Sequence, residues 1–146
     1  MPAVRITKEF SFEAAHALKD HDGPCRNIHG HSYKLSVTVS GSPVTNPGSP
    51  KRGMIIDFNL LKEIVNRVII VPMDHVLILP SGLNVVDLRK RGDPFSKVMV
   101  VNFQPTSENL LIDFAERLQR AFPPEIRLYS MKLRETATSY AEWFAD

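Results

Sequence analysis

From residue 4 to residue 18 the chain alternates between apolar and polar positions. Val4, Ile6, Phe10, Phe12, Ala14, His16 and Leu18 share one parity, interrupted only by Lys8, while Arg5, Thr7, Glu9, Ser11 and Glu13 share the other. Successive side chains of a strand point to opposite faces, so this stretch predicts a long strand with one buried face, and His16 belongs to that face. Residues 29–40 repeat the pattern. His29, His31, Tyr33, Leu35, Val37 and Val39 fall on one side; Gly30, Ser32, Lys34, Ser36, Thr38 and Ser40 fall on the other. One wet face and one dry face suit an antiparallel pair.

The stretch from Gly41 to Gly53 is rich in Gly, Pro, Ser and Asn and predicts a loop, with Met54-Ile55-Ile56 a short strand at most. Asp57 is a good helix N-cap, and Phe58, Leu61, Ile64, Val65 and Val68 then recur at helical spacing. Pro72 is expected to close that helix, because proline has no N–H for the ladder. Leu79 to Asn102 carries turn signals at Pro80-Ser81-Gly82 and Gly92-Asp93-Pro94, and one strand-like run, Val98 to Val101. A second helix is predicted from near Thr106, with Leu111, Phe114, Ala115, Leu118 and Phe122 as its stripe, ending at Pro123-Pro124. Ile126 to Arg134 predicts a strand whose alternation breaks midway, as a bulge would make it, and Ser139 to Phe144 a short last one. The order ββααββ predicts an α+β domain: an antiparallel four-stranded sheet with two helices on one face.

The length of 146 residues suits a single domain, 1–146, large enough to bury a core without covalent staples. A net charge of +2 argues against a nucleic-acid partner held by a broad basic surface. No secretory signal is expected at the N-terminus, and no apolar run approaches membrane-spanning length. The single cysteine, Cys25, cannot form an internal disulfide, which fits a reducing cytoplasm.

The sharpest chemical signal is His29-Gly30-His31. Histidines at i and i+2 of a strand project from the same face, and His16 lies on the matching face of the preceding strand. Three neutral imidazoles with one position left open is the donor set of catalytic zinc; structural zinc usually has four protein ligands. The plain alternative is a set of hydrogen-bonded core histidines. Cys25, four residues before His29, could be a fourth ligand, a base whose thiolate a nearby cation favours, or a free thiol. In Asp74-His75 a carboxylate could orient an imidazole that takes a proton from a thiol, although adjacent Asp-His pairs are common. Glu108 suits the first turn of the second helix on electrostatic grounds alone, and Glu135, after Arg134, could be a simple surface charge.

In combination, these residues resemble the 6-pyruvoyltetrahydropterin synthase / 6-carboxytetrahydropterin synthase family. The matching pieces are Phe10-Ser11-Phe12-Glu13-Ala14-Ala15-His16, Cys25 with His29-Gly30-His31-Ser32-Tyr33, Ile55-Ile56-Asp57-Phe58, Met73-Asp74-His75, Pro105-Thr106-Ser107-Glu108-Asn109-Leu110 and Leu133-Arg134-Glu135-Thr136. They follow the family's order and span most of the chain. The resemblance implies a tunnelling fold, in which trimeric barrels stack into a homohexamer with active sites at subunit boundaries. It implies Zn2+ on His16, His29 and His31, Cys25 as catalytic base, Asp74 and His75 as its proton relay, Glu135 as pterin anchor, and Glu108 with Thr106 and Ser107 in the same pocket. It also implies a lyase acting on 7,8-dihydroneopterin triphosphate. The Cys25 to His29 spacing resembles the bacterial branch, which makes 6-carboxy-5,6,7,8-tetrahydropterin for queuosine synthesis; pyruvoyl chemistry in the same pocket is the alternative. From a different class, the alternative is a non-catalytic oligomeric module closed around zinc by Cys25. Leu79–Asn102 is longer than in short bacterial members. Arg89-Lys90-Arg91 and Lys51-Arg52 fit solvated basic turns better than triphosphate contacts.

Overall fold

The computed structural model describes residues 3–146; Met1 and Pro2, part of the stretch in which no secretory signal is expected, lie outside them. Six strands form one sheet: β1 (Val4–His16), β2 (His29–Gly41), β3 (Val76–Pro80), β4 (Val98–Val101), β5 (Arg127–Thr136) and β6 (Ser139–Phe144), in the order β4-β3-β1-β2-β5-β6. β1 and β2 pair antiparallel over their whole length, from Val4 opposite Gly41 to His16 opposite His29. β5 joins β2 and β6 joins β5, both antiparallel.

The expected four-stranded antiparallel sheet is therefore corrected to a six-stranded mixed one. β3 runs parallel to β1, and β4 parallel to β3. β3 escapes a search for alternation because four of its five residues, Val76, Ile78, Leu79 and Pro80, are buried. Strands covered on both faces read as apolar runs, not as alternating ones.

The helical segments are α1 (Phe58–Val65), a π-helical turn (Asn66–Ile70), α2 (Val71–Met73), α3 (Val85–Lys90) and α4 (Ser107–Ala121). Asp57 caps α1 as expected, its carboxylate accepting from the Asn59 N–H. Pro72 does not close the helix. The wide π turn precedes it, and one more helical turn follows before the chain leaves through Asp74 in extended backbone and His75 at φ 62°. The wider turn relieves the crowding a proline ring makes in a regular helix. The short helix α3 is a further addition to the two expected.

The core lies between α1, the π turn, α4 and the apolar face of β1, β2 and β5, and includes Phe12, Tyr33, Leu35, Leu61, Ile69, Phe114, Leu118 and Leu133. A smaller cluster of Ala17, Leu79 and Val85 seats α3. The other face of β1, from Arg5 to Glu13, is exposed. No helix among the described residues is long and apolar enough to cross a membrane.

Candidate metal centre and active site

His16 ends β1 and His29 begins β2, directly opposite each other in the ladder; His31 faces Ala14 one step along. Alternation puts all three imidazoles on the buried face, as expected from the sequence. Their ring centroids lie 4.5 to 5.2 Å apart. One donor atom from each falls within 4.8 Å of the others.

The hydrogen bonds fix two of the tautomers. His16 Nδ1 donates to the Pro105 carbonyl at 2.7 Å, and His29 Nδ1 donates to the Asn27 carbonyl at 2.8 Å. A carbonyl only accepts, so in the neutral rings both Nε2 atoms carry bare lone pairs. Those two Nε2 atoms stand 3.0 Å apart. Two lone pairs at that distance repel unless a cation lies between them. His31 Nε2 is buried and makes no well-aligned hydrogen bond, although the Glu135 carboxylate lies 3.0 Å from it. Zinc bonds of about 2.0–2.1 Å at tetrahedral angles place ligand nitrogens roughly 3.3 Å apart, close to the 3.0 Å between His16 and His29, with the His31 donor within 4.8 Å of both. The donor set thus fits a metal ion on His16, His29 and His31, with the backbone carbonyls as the outer supports that orient metal-binding imidazoles.

Burial pushes the His16 imidazole below its ordinary value of 6.5, helped by His29 and opposed by the Pro105 carbonyl and Glu135. Burial lowers His31 as well, against the pull of Glu135. Neutral rings are the form a metal needs. As pH falls through 6.5 the unfolded chain takes up protons that the folded chain resists, so the stabilisation is complete above about 6.5 and is lost below it. In metal-stripped protein we expect the melting temperature to hold between pH 8 and 7 and to drop between 6.5 and 5; a flat melting profile across that lower window would contradict neutral, buried imidazoles.

Glu135 also meets this group. Its Oε1 lies 3.0 Å from His31 Nε2 and 3.4 Å from His16 Nε2. It sits where the β5–β6 ladder skips from Arg134 to Thr136. Bulges next to active sites re-aim side chains, and this one accompanies a carboxylate on the same face as Leu133, toward the histidines. Tyr33 stacks on Phe12 and sets its ring edge-on to His16 and His31; burial pushes its phenol strongly up, and its OH lacks a partner. Tyr33 is legible in the sequence only as a core aromatic.

The head of α4 adjoins the histidines through the Pro105 carbonyl. Thr106 is the N-cap, accepting from the Asn109 N–H at 3.2 Å; Ser107 is buried with its hydroxyl unpartnered; Glu108 is exposed in the first turn.

Cys25 lies in a short 3-10 turn, Pro24–Arg26, and is partly buried. Its carbonyl accepts from the Leu18 N–H at 3.0 Å, tying the turn to the chain just beyond His16. Its sulfur is not in the group of mutually close donors.

Asp74 and His75 stand elsewhere. Asp74 Oδ1 accepts from the Glu13 N–H at 2.8 Å and from His75 Nδ1 at 3.1 Å, and the His75 N–H donates to the Glu13 carbonyl. The Glu13 N–H is the main cause holding the Asp74 carboxyl below its usual range. His75 opens on a cavity of about 460 Å³ whose lining includes Glu13, Ala15, Gly30, Ser32 and Lys97, and also His31 of the trio. Glu13, Ala15, Gly30 and Ser32 carry the parity opposite to the histidines. The Asp-His pair therefore opens mainly on the polar side of the sheet, with His31 at the border of the same cavity.

Fold and site together define an α+β protein whose sheet buries a three-histidine group able to hold a metal ion, beside a helix start and a carboxylate. The chain belongs to the family described as 6-pyruvoyl tetrahydropterin synthase, which it matches over residues 5–146. It is 38% identical over 143 residues to the 6-carboxy-5,6,7,8-tetrahydropterin synthase of Haemophilus influenzae, covering 95% of this chain and 97% of that one. It is 35% identical over 141 residues to the enzyme of the same name from a Synechocystis species, covering 96% and 92%. The solved structure of the Caenorhabditis elegans 6-pyruvoyl tetrahydropterin synthase superposes on it with a TM-score of 0.71 at 27% identity, covering 100% of this chain and 98% of that one.

Proposed function

We propose that this chain is a zinc-dependent lyase that converts 7,8-dihydroneopterin triphosphate and water to 6-carboxy-5,6,7,8-tetrahydropterin, releasing acetaldehyde and triphosphate, in the route to queuosine. The observation that carries the metal half of the reading is the pair of bare Nε2 lone pairs facing each other at 3.0 Å. Likeness in length and sequence to two enzymes named for the carboxy product supports that product over the pyruvoyl one.

Zinc on His16, His29 and His31 would supply Lewis acidity toward the substrate's side-chain hydroxyls. The chain's own groups do the rest. Glu135 accepts the pterin's amino and ring N–H groups as a bidentate pair. Thr106, Ser107 and Glu108 line the same pocket from the head of α4. Cys25 removes a proton from the side chain of the substrate. His75 carries protons at Nε2, since its Nδ1 is committed to Asp74.

The relay opens mainly on the polar side of the sheet and the trio on the buried side, so in this reading a second copy brings its Asp74–His75 to the pocket. A cytoplasmic homohexamer built from two trimeric barrels meets that need. It also covers the edges at β4 and β6, which a lone chain leaves open. A closed module with Cys25 as zinc ligand is disfavoured by the sulfur's place outside the donor group. Incubation with 7,8-dihydroneopterin triphosphate tests the reading: we expect acetaldehyde and the 6-carboxy product in equal amounts. Triphosphate release without acetaldehyde would replace it with pyruvoyl chemistry, and no turnover of the zinc-loaded protein would end it.

A further inference from the structure

The Asp74–His75 turn has a third support, contributed by the segment between β3 and β4. The Leu77 N–H donates to the Lys97 carbonyl at 3.0 Å, which aligns Lys97 with the first residues of β3, just after the turn. From there the Lys97 ammonium reaches back to the end of the preceding helix. Nζ donates to the Val71 carbonyl at 2.9 Å and to the Asp74 carbonyl in a short contact. Carbonyls at a helix end lack ladder partners and carry partial negative charge, so an ammonium satisfies them in both respects.

The turn needs such support. His75 has a left-handed backbone at φ 62°, a conformation that non-glycine residues hold only when their surroundings fix it. Glu13 grips the turn from β1, with its N–H on Asp74 Oδ1 and its carbonyl on the His75 N–H. Lys97 grips it from the other side, through the backbone of Asp74. We propose that Lys97 is a positioning residue for the Asp74–His75 pair, holding the Asp74 carboxylate where it keeps the proton on His75 Nδ1 and leaves Nε2 free to exchange one. The catalytic part of this inference rests on the proposed lyase reading; the placement of the imidazole does not. The charged and titratable groups around the pair are Glu13 from β1, His31 from β2 across the shared cavity, Lys97 just before β4, and Asp74 and His75 themselves.

The test uses the full-length zinc-loaded protein and its Lys97→Met and Lys97→Arg variants. The imidazole nitrogen shifts of His75, assigned by their loss in His75→Gln, report the tautomer. In the native protein and in Lys97→Arg the Nδ1–H form should dominate; in Lys97→Met the Nε2–H form should gain. With substrate, Lys97→Met should lower kcat on the order of 10-fold to 100-fold with KM and zinc content unchanged, the scale expected when a reacting group is misplaced by a fraction of an ångström or more. In a His75→Ala background the same change should lower kcat less than twofold, because a residue acting through another adds little once that one is gone. An unchanged His75 tautomer in Lys97→Met, or a full loss of kcat on top of His75→Ala, overturns the proposal. If Lys97→Met does not fold, Lys97→Gln gives the same reading. Because the tautomer is measured without substrate, absence of lyase activity would sink the proposed function and leave this inference to be decided by the spectra.

Discussion

His31→Ala is expected to give a folded protein that neither retains zinc through dialysis nor turns over substrate. His31 is the suitable histidine to remove. Its side chain is 17% exposed, so truncation opens the pocket wall and leaves no sealed void in the core. His16 is 1% exposed and bonded to Pro105, so its loss would disturb the head of α4 as well. Removing His31 reduces three nitrogen donors to two. Loss of an outer support alone weakens metal binding by about 10–100-fold, so loss of a ligand should exceed that. A bound metal stabilises transition-state charge by several kcal/mol; about 4 kcal/mol corresponds to a turnover loss of roughly 1,000-fold. Metal content by atomic absorption, read beside product formation and circular dichroism, checks all three parts. A fully metallated, active His31→Ala would remove the metal centre from the account.

The trio itself is open to sequence reasoning because only two facts are needed: side chains alternate along a strand, and β1 and β2 are neighbours in chain and in space. The parity of His16 against His29 and His31 then determines the shared face. The same logic carries the bulge in β5. Leu128 is buried, and so are Met131 and Leu133, which have the opposite parity; the β2–β5 register shifts between Thr38 and Val39 to absorb the difference.

What alternation cannot reach depends on contacts between distant parts of the chain. Glu135 lies against His31 because β5 pairs with β2 in a sheet order that local pattern does not specify, and because the ladder beyond it skips a residue. β3 and β4 pair parallel through crossovers, so no hairpin signal announces them. Lys97 looks like any lysine in a loop; its partners are carbonyls 23 and 26 residues away, which no motif records. The segment Leu79–Asn102, opaque as sequence, completes β3, adds α3 and β4, and so places Lys97 beneath the Asp-His turn.

The second large effect concerns the thiol. Cys25→Ala is expected to lower kcat by about 100-fold to 10,000-fold, the usual contribution of a positioned acid or base, while zinc content and pterin affinity stay as they were. The separation follows from the structure. The three imidazoles hold their places through the Pro105 and Asn27 carbonyls, neither of which uses the sulfur. The turn that carries Cys25 is tied down by its backbone, through the Leu18 N–H, and keeps that bond when the side chain is shortened. Glu135, the proposed pterin anchor, lies on β5, a separate element. Each of these supports survives the substitution, so only proton removal is lost. Cys25→Ser sharpens the result: a hydroxyl keeps the size of the side chain but ionises far less readily than a thiol at neutral pH, so it should fall close to alanine. X-ray absorption at the zinc edge should show nitrogen and oxygen neighbours only, in native protein and variant alike. Sulfur in the native shell, lost together with the metal in Cys25→Ala, would recast Cys25 as a ligand and the centre as a closed structural site.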